Sequence, residues 1–256
     1  MTEGQKKIQE RRDRILETVR TEGFAEVSAL SGMLGVTPVT VRGDLAFLES
    51  RGLLTRTQGG AVPVRPHRDP DDKSGIRFYE EKRAVARAAA AGIPEGSTLF
   101  INAGTTTLLF ARALKEHRDL HIVTNSVPVA EELSGLAGFK VVLLGGELDP
   151  QFGFTTGDDA LAQLGRYQAD RAILSVDGIS PESGLTTYHV AAAALNRMMS
   201  ERARGTTVLA DHTKIGRPGF SHVCGLREGL SLITDRGAVG EELRRLQEAG
   251  LTIQTV

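Results

Sequence analysis

Ile8, Ile15, Leu16 and Val19 recur among charged residues at helical spacing, which predicts a helix over residues 6–22 that ends at Gly23. A shorter helix follows over 27–34, and Gly35-Val36 predicts a tight turn. Thr37-Pro38 then marks a new helix start: a threonine hydroxyl can cap open N–H groups, and proline suits the first helical position. That helix runs to residue 50, with Val41, Leu45 and Leu48 at core spacings, and Gly52 stands as a favourable residue just beyond its end. Residues 53–57 and 61–63 read as two short strands around Gly59-Gly60, the pattern of a β-wing.

Beyond the wing the composition shifts to Arg, Pro and Asp, which reads as a solvated linker over 64–75. The chain is thus expected to hold a small winged helix-turn-helix domain over 1–63 and a larger domain over 76–256. A long helix is predicted over 78–91. Strand-like runs such as STLFIN, LHIVTN, KVVLLGG, RAILSVDG, TTVLAD and LSLITD then alternate with helix-like runs. This alternation predicts an α/β class and a mostly parallel sheet with helices on both faces. No fixed-period repeat is visible.

Composition removes several function classes. A single cysteine, Cys224, rules out an internal disulfide and a cysteine-based zinc site. No run approaches the roughly 18 apolar residues of a membrane helix. The N-terminus is charged throughout and lacks the apolar core of a signal peptide, so a cytoplasmic protein is expected. His67, His117, His121, His189, His212 and His222 show no ligand-like spacing, and Ser126 and Ser175 no nucleophile-elbow context, so neither metal nor redox cofactor is expected. The formal net charge of −1 hides an asymmetry, because the first 68 residues are net basic and the remainder net acidic. A basic first segment points towards nucleic acid.

A short helix, a glycine turn and a second helix with polar early residues make the skeleton of a helix-turn-helix. Its second helix can present its first turns to the major groove. Thr37, Thr40 and Arg42 are the polar residues there, and Arg42 suits a guanine edge or a phosphate. Arg56 and Gln58 flank the wing turn and complete the candidate DNA-binding set.

In the larger domain several strands end in small polar turns: Gly104-Thr105-Thr106-Thr107, Thr124-Asn125-Ser126, Gly145-Gly146 and Asp177-Gly178. Ligands of open α/β sheets sit beyond the carboxyl ends of strands. Gly104 to Thr107 also open a helix, whose free N–H groups suit a phosphate. Lys214, after a later strand, can supply a positive charge to the same anion.

Residues 14–62 resemble the N-terminal domain of the DeoR family of bacterial sugar-metabolism regulators, whose pattern V-S-x-x-T-[IV]-R-R-D-L…G-x-[LI]-x-R-x-H-G-G-A is long and specific. Two departures stand out: Gly43 replaces a usual arginine and Gln58 a usual histidine. Residues 77–235 resemble the family's C-terminal sensor domain, with blocks similar to GTT, TN-[ST], GG, VDG, G-[IL]-T and D-x-[ST]-K; Asn102 replaces a frequent aspartate. The resemblance implies a fold like ribose-5-phosphate isomerase, a phosphorylated sugar or polyol effector, and Thr186 among the effector residues. It also implies a repressor that binds double-stranded operator DNA; because one winged helix reads only a short half-site, a homo-oligomer, a dimer or tetramer, is expected. Tyr188 and His189 are placed to read the sugar, or else form a packed aromatic and a surface histidine. The rival is a sugar-phosphate isomerase fused to a DNA-binding domain. Its acidic stretch is reduced here to Asp177-Gly178-Ile179-Ser180-Pro181 and its lysine segment is absent, so no enzyme activity is expected.

Overall fold

The computed structural model describes residues 3–22, 24–63, 76–150 and 152–256. The chain divides into two compact units, residues 1–66 and 67–256; the expected linker over 64–75, and Gly23, lie outside the described residues.

The first unit is built from α1 (Glu3–Glu22), β1 (Ala25–Glu26), α2 (Val27–Leu34), α3 (Pro38–Ser50), β2 (Leu54–Thr57) and β3 (Gly60–Pro63). The strands form an antiparallel sheet in the order β1-β3-β2, with Arg56 opposite Ala61 and Ala25 opposite that same residue on the other side. Ile15, Val19, Leu30, Val41, Leu45, Leu48 and Leu54 form one buried cluster. The core spacings of α3 are therefore real. Ile8, by contrast, is 38 % exposed, because it lies in the early turns of α1 outside that cluster.

The second unit begins with α4 (Tyr79–Ala91), followed by β4 (Thr98–Ile101), α5 (Thr105–Ala113), β5 (His121–Thr124), α6 (Val127–Ser134) and β6 (Lys140–Leu143). A hairpin, β7 (Glu147–Asp149) and β8 (Phe154–Thr156), leads to α7 (Asp158–Leu164) and β9 (Ala169–Ser175). Next come β10 (Gly178–Ser180), β11 (Gly184–Thr187), α8 (Val190–Glu201), β12 (Ala203–Leu209) and β13 (Ser221–Cys224). The chain closes with β14 (Leu230–Thr234), α9 (Gly240–Glu248) and β15 (Thr252–Thr255).

Seven strands form one sheet in the order β15-β14-β12-β9-β4-β5-β6, every pairing parallel. Alternate residues of a strand point to opposite faces. Leu99 and Ile101 of β4 accordingly join a cluster with α4, α5 and α6, while Phe100 between them joins one with α7 and α8. Helices on both faces make each central strand apolar on both sides, which explains its continuous hydrophobic run. Two further pieces lie outside the expected alternation, the β7–β8 hairpin and a small antiparallel sheet in the order β10-β11-β13.

Candidate functional site

In the first unit, Gly35 adopts a left-handed conformation at φ 64°, the geometry a side chain resists, and its N–H bonds the Ser31 carbonyl to close α2. Thr37 then caps α3, its hydroxyl accepting the Thr40 N–H at 3.2 Å, with Pro38 at the first helical position. Val41, Asp44, Leu45 and Leu48 face inward, which leaves Val39, Arg42 and Gly43 on the outer face. Asp44 is a buried acid: Arg11 and Arg12 donate to its two oxygens at 2.5 and 2.9 Å, and the Arg12 guanidinium lies 3.5 Å from the centre of the Phe47 ring. Burial alone would raise this carboxyl, but the two guanidiniums hold it below the ordinary value. The clip ties α1 to the back of α3 and orients its outer face.

The candidate DNA residues do not all stand alike. Arg42 and Gln58 are exposed, the latter at the wing turn. Arg56 is tethered, its backbone N–H and Nε donating to Glu49 at 2.8 and 2.6 Å. Thr37 and Thr40 are bonded to each other at the cap.

In the second unit the strand order identifies one place on the sheet edge. From β4 the chain steps outward through β5 and β6, then returns to β9 beside β4 and steps the other way through β12, β14 and β15. Connections therefore diverge at the carboxyl ends of β4 and β9, where open α/β sheets form their binding crevice. Gly104 and Thr105 follow β4; Ser175 ends β9, and Val176 and Asp177 come directly after it. Gly104 packs directly on β9, since an added Cβ would lie 2.7 Å from the Ser175 Cβ. Asn102 fixes the same junction: its Oδ1 accepts the Ser175 N–H at 2.8 Å, and its Nδ2 donates to the Ser175 carbonyl and to Asn196 Oδ1 at 2.9 and 3.0 Å. Only an amide can donate and accept in this way, a physical reason for asparagine where the family often has aspartate.

Charge gathers at this crevice. The Asp177 carboxylate accepts from the Thr187 hydroxyl at 2.9 Å and the Tyr188 N–H at 3.0 Å, while Lys214 Nζ stands 3.9 Å from its other oxygen. Burial would raise Asp177, but Lys214, the Tyr188 N–H, the Thr187 hydroxyl and His189 together hold it below the ordinary carboxylate value. Both side chains are partly exposed, 30 % for Asp177 and 23 % for Lys214. Lys214 sits on a one-turn helix, His212–Lys214, capped by Asp211. Asp211 in turn pairs with buried Lys82 of α4 at 3.5 Å and is likewise held low against its burial. His212 bonds Asp235 at 2.9 Å and stacks edge-on against Phe78 at 4.6 Å. His189 packs against Phe152 at 4.5 Å and Phe154 at 5.6 Å, so the hairpin turn supplies aromatic rings that no motif announced.

Several expected effector residues have their polar groups engaged within the protein. The Thr107 hydroxyl donates to the Gly104 carbonyl, and Thr106 is buried beside it. Thr124 donates to the Ile101 carbonyl at 2.6 Å, and Ser126 caps α6. The Asn125 amide donates to the Thr155 carbonyl, although its buried Oδ1 has no partner among the described residues. The Gly145 N–H donates to Gln163, Gly146 lies against the Thr156 carbonyl, and Gly178 against the Arg217 carbonyl. Thr186 accepts from Gly219 and donates to Gly178. Gly104, Thr105, Asp177 and Lys214 belong to the two strand ends that form the crevice and to the loop beside it.

Comparison with known proteins agrees with this two-part layout. Residues 11–66 match the DeoR-like helix-turn-helix domain, and residues 77–236 match the DeoR C terminal sensor domain. The chain belongs to the DeoR family. A putative aga operon transcriptional repressor of Escherichia coli O157:H7 is 34 % identical over 98 % of this chain and 96 % of its own length. The glycerol-3-phosphate regulon repressor of Escherichia coli K12 is 34 % identical over 81 % of this chain and 83 % of its own. The transcriptional repressor GlcR of Bacillus subtilis is 34 % identical over 89 and 88 %. Among solved structures, ribose 5-phosphate isomerase A of Methanocaldococcus jannaschii is 18 % identical, with a TM-score of 0.38 over 52 % of each chain. As a DeoR-family member the protein is a DNA-binding transcriptional regulator with a sensor domain. No helix among the described residues is long and apolar enough to cross a membrane.

Proposed function

We propose that the protein represses a sugar- or polyol-metabolism operon and that a phosphorylated sugar or polyol, seated where β4 and β9 diverge, controls its hold on operator DNA. The observation that carries this reading is the packing at the diverging strand ends: the N-terminus of α5 at Gly104-Thr105 lies against the end of β9, which leads to the Asp177–Lys214 pair. Helix N–H groups and an ammonium suit a phosphate. At 3.9 Å the ammonium lies beyond a normal hydrogen bond from Asp177, which leaves it able to turn towards an anion. The ionised Asp177 suits sugar hydroxyls, and the His189–Phe152 stack suits a sugar face. The relatives support the class of ligand and the sign of control, since one is named for a glycerol-3-phosphate regulon and all three carry the name of repressor. One winged helix reads only a short half-site, so the working form is a homo-oligomer, a dimer or tetramer.

Calorimetric titration of a panel of sugar and polyol phosphates, with the unphosphorylated compounds as controls, tests the site. Charge-assisted bonds contribute about 1.5–3 kcal/mol each, so Lys214→Ala is expected to weaken the bound phosphate about tenfold or more. Free sugars that bind as tightly as their phosphates, or an unchanged mutant, would remove the anion site.

A further inference from the structure

Val39 is the most exposed large hydrophobic side chain among the described residues, at 74 %. It sits in the first turn of α3, one residue after Pro38, on the outer face with Arg42 and Gly43. Residues three and four apart are neighbours on a helix surface, so Arg42 and Gly43 flank it one turn on. The glycine is not demanded by packing: a Cβ built at Gly43 meets nothing within 4 Å, and its φ is not positive. Glycine weakens a helix interior, yet here it leaves a bare turn beside an isopropyl group. The outer face of α3 is therefore an apolar knob, an open notch and one arginine.

We propose that Val39, backed by the notch at Gly43, is a specificity-determining residue that receives the 5-methyl group of a thymine. The proposal rests on the reading that α3 enters the major groove. Thymine alone among the four bases presents a methyl there, and apolar side chains recognise it. The early turns of a recognition helix are those that meet base edges. With no side chain at residue 43, a base edge can approach the backbone, and the methyl is enclosed between it and Val39. Arg42 next to them supplies the polar contact that fixes register.

The test starts from duplexes that the full-length protein selects out of a random-sequence pool. Each thymine of the selected site is replaced singly by deoxyuridine, which removes only the methyl. One position per half-site is expected to lose about fourfold in affinity, the equivalent of one buried methyl group. Val39→Ala should bind the thymine and uridine duplexes at that position with affinities within about twofold of each other. Gly43→Arg, which fills the notch, should also erase the difference. A selected site without thymine, no uridine-sensitive position, or a uridine penalty that persists in Val39→Ala overturns the proposal while the DNA-binding reading stands. Should Val39→Ala bind too weakly to measure, the wild-type uridine scan decides alone. Failure to select any sequence overturns both.

Discussion

Two glycines show how one residue type carries opposite consequences. Gly43 faces open space, so Gly43→Ala is expected to stabilise α3 by about 1 kcal/mol through helix propensity. Gly104 presses on Ser175, so Gly104→Ala must force α5 and β9 apart, at a cost of about 1–3 kcal/mol. Thermal unfolding of the two variants checks the pair: Gly43→Ala should raise the transition of the winged-helix unit and Gly104→Ala lower that of the sensor unit. A Gly104→Ala variant as stable as the wild type would mean that the close approach to Ser175 does not hold α5 against β9. Side-chain chemistry at this scale was only partly legible in the sequence. The Thr37 cap could be read from its neighbours, because a cap bonds three residues away. That Thr124 and Thr186 spend their hydroxyls inside the protein could not, because their partners depend on how strands and turns meet. Asn102 stands in the sequence only as a replacement for a frequent aspartate, whereas in the fold its amide holds β4, β9 and α8 together.

At the scale of elements, the Arg11–Asp44–Arg12 clip sets how the recognition helix rests on α1. Asp44 is buried and its carboxyl is held low, so it contributes stability above the ordinary value of 3.8, and this is lost as pH falls through the depressed folded value. Asp44→Asn should cost about 1–3 kcal/mol at neutral pH, and the gap to wild type should close as the pH drops below that range. Hydrogen exchange of α3 amides from about pH 3 to about pH 7, across the carboxylate range, reads this directly. A gap that widens towards acid would contradict the clip. The helices and the parallel strands were legible because each announces itself within a dozen residues, by period or by a continuous apolar run. The β10-β11-β13 sheet was not, since its strands are three or four residues long and β13 pairs with β11 from more than thirty residues away. The β7–β8 hairpin hid for a similar reason, although it brings Phe152 and Phe154 to His189.

At the scale of the whole molecule, regulation requires that the effector bind one arrangement of the protein more tightly than another. Reciprocity then requires operator DNA to weaken the effector by the same factor as the effector weakens the operator. The loop that carries Lys214 is also the loop that Asp211 ties to Lys82 of α4 and His212 to Phe78, so an effector bound where we propose would press on residues that follow the linker segment in sequence. The most direct test measures the affinity of the full-length protein for its selected operator duplex with and without each member of a sugar-phosphate panel. One phosphorylated sugar or polyol should weaken operator binding about tenfold or more, its unphosphorylated form should not, and Lys214→Ala should bind the operator normally yet lose the response. An operator affinity that no phosphorylated compound changes, or that free sugars change equally, would contradict control by a sugar phosphate at this crevice.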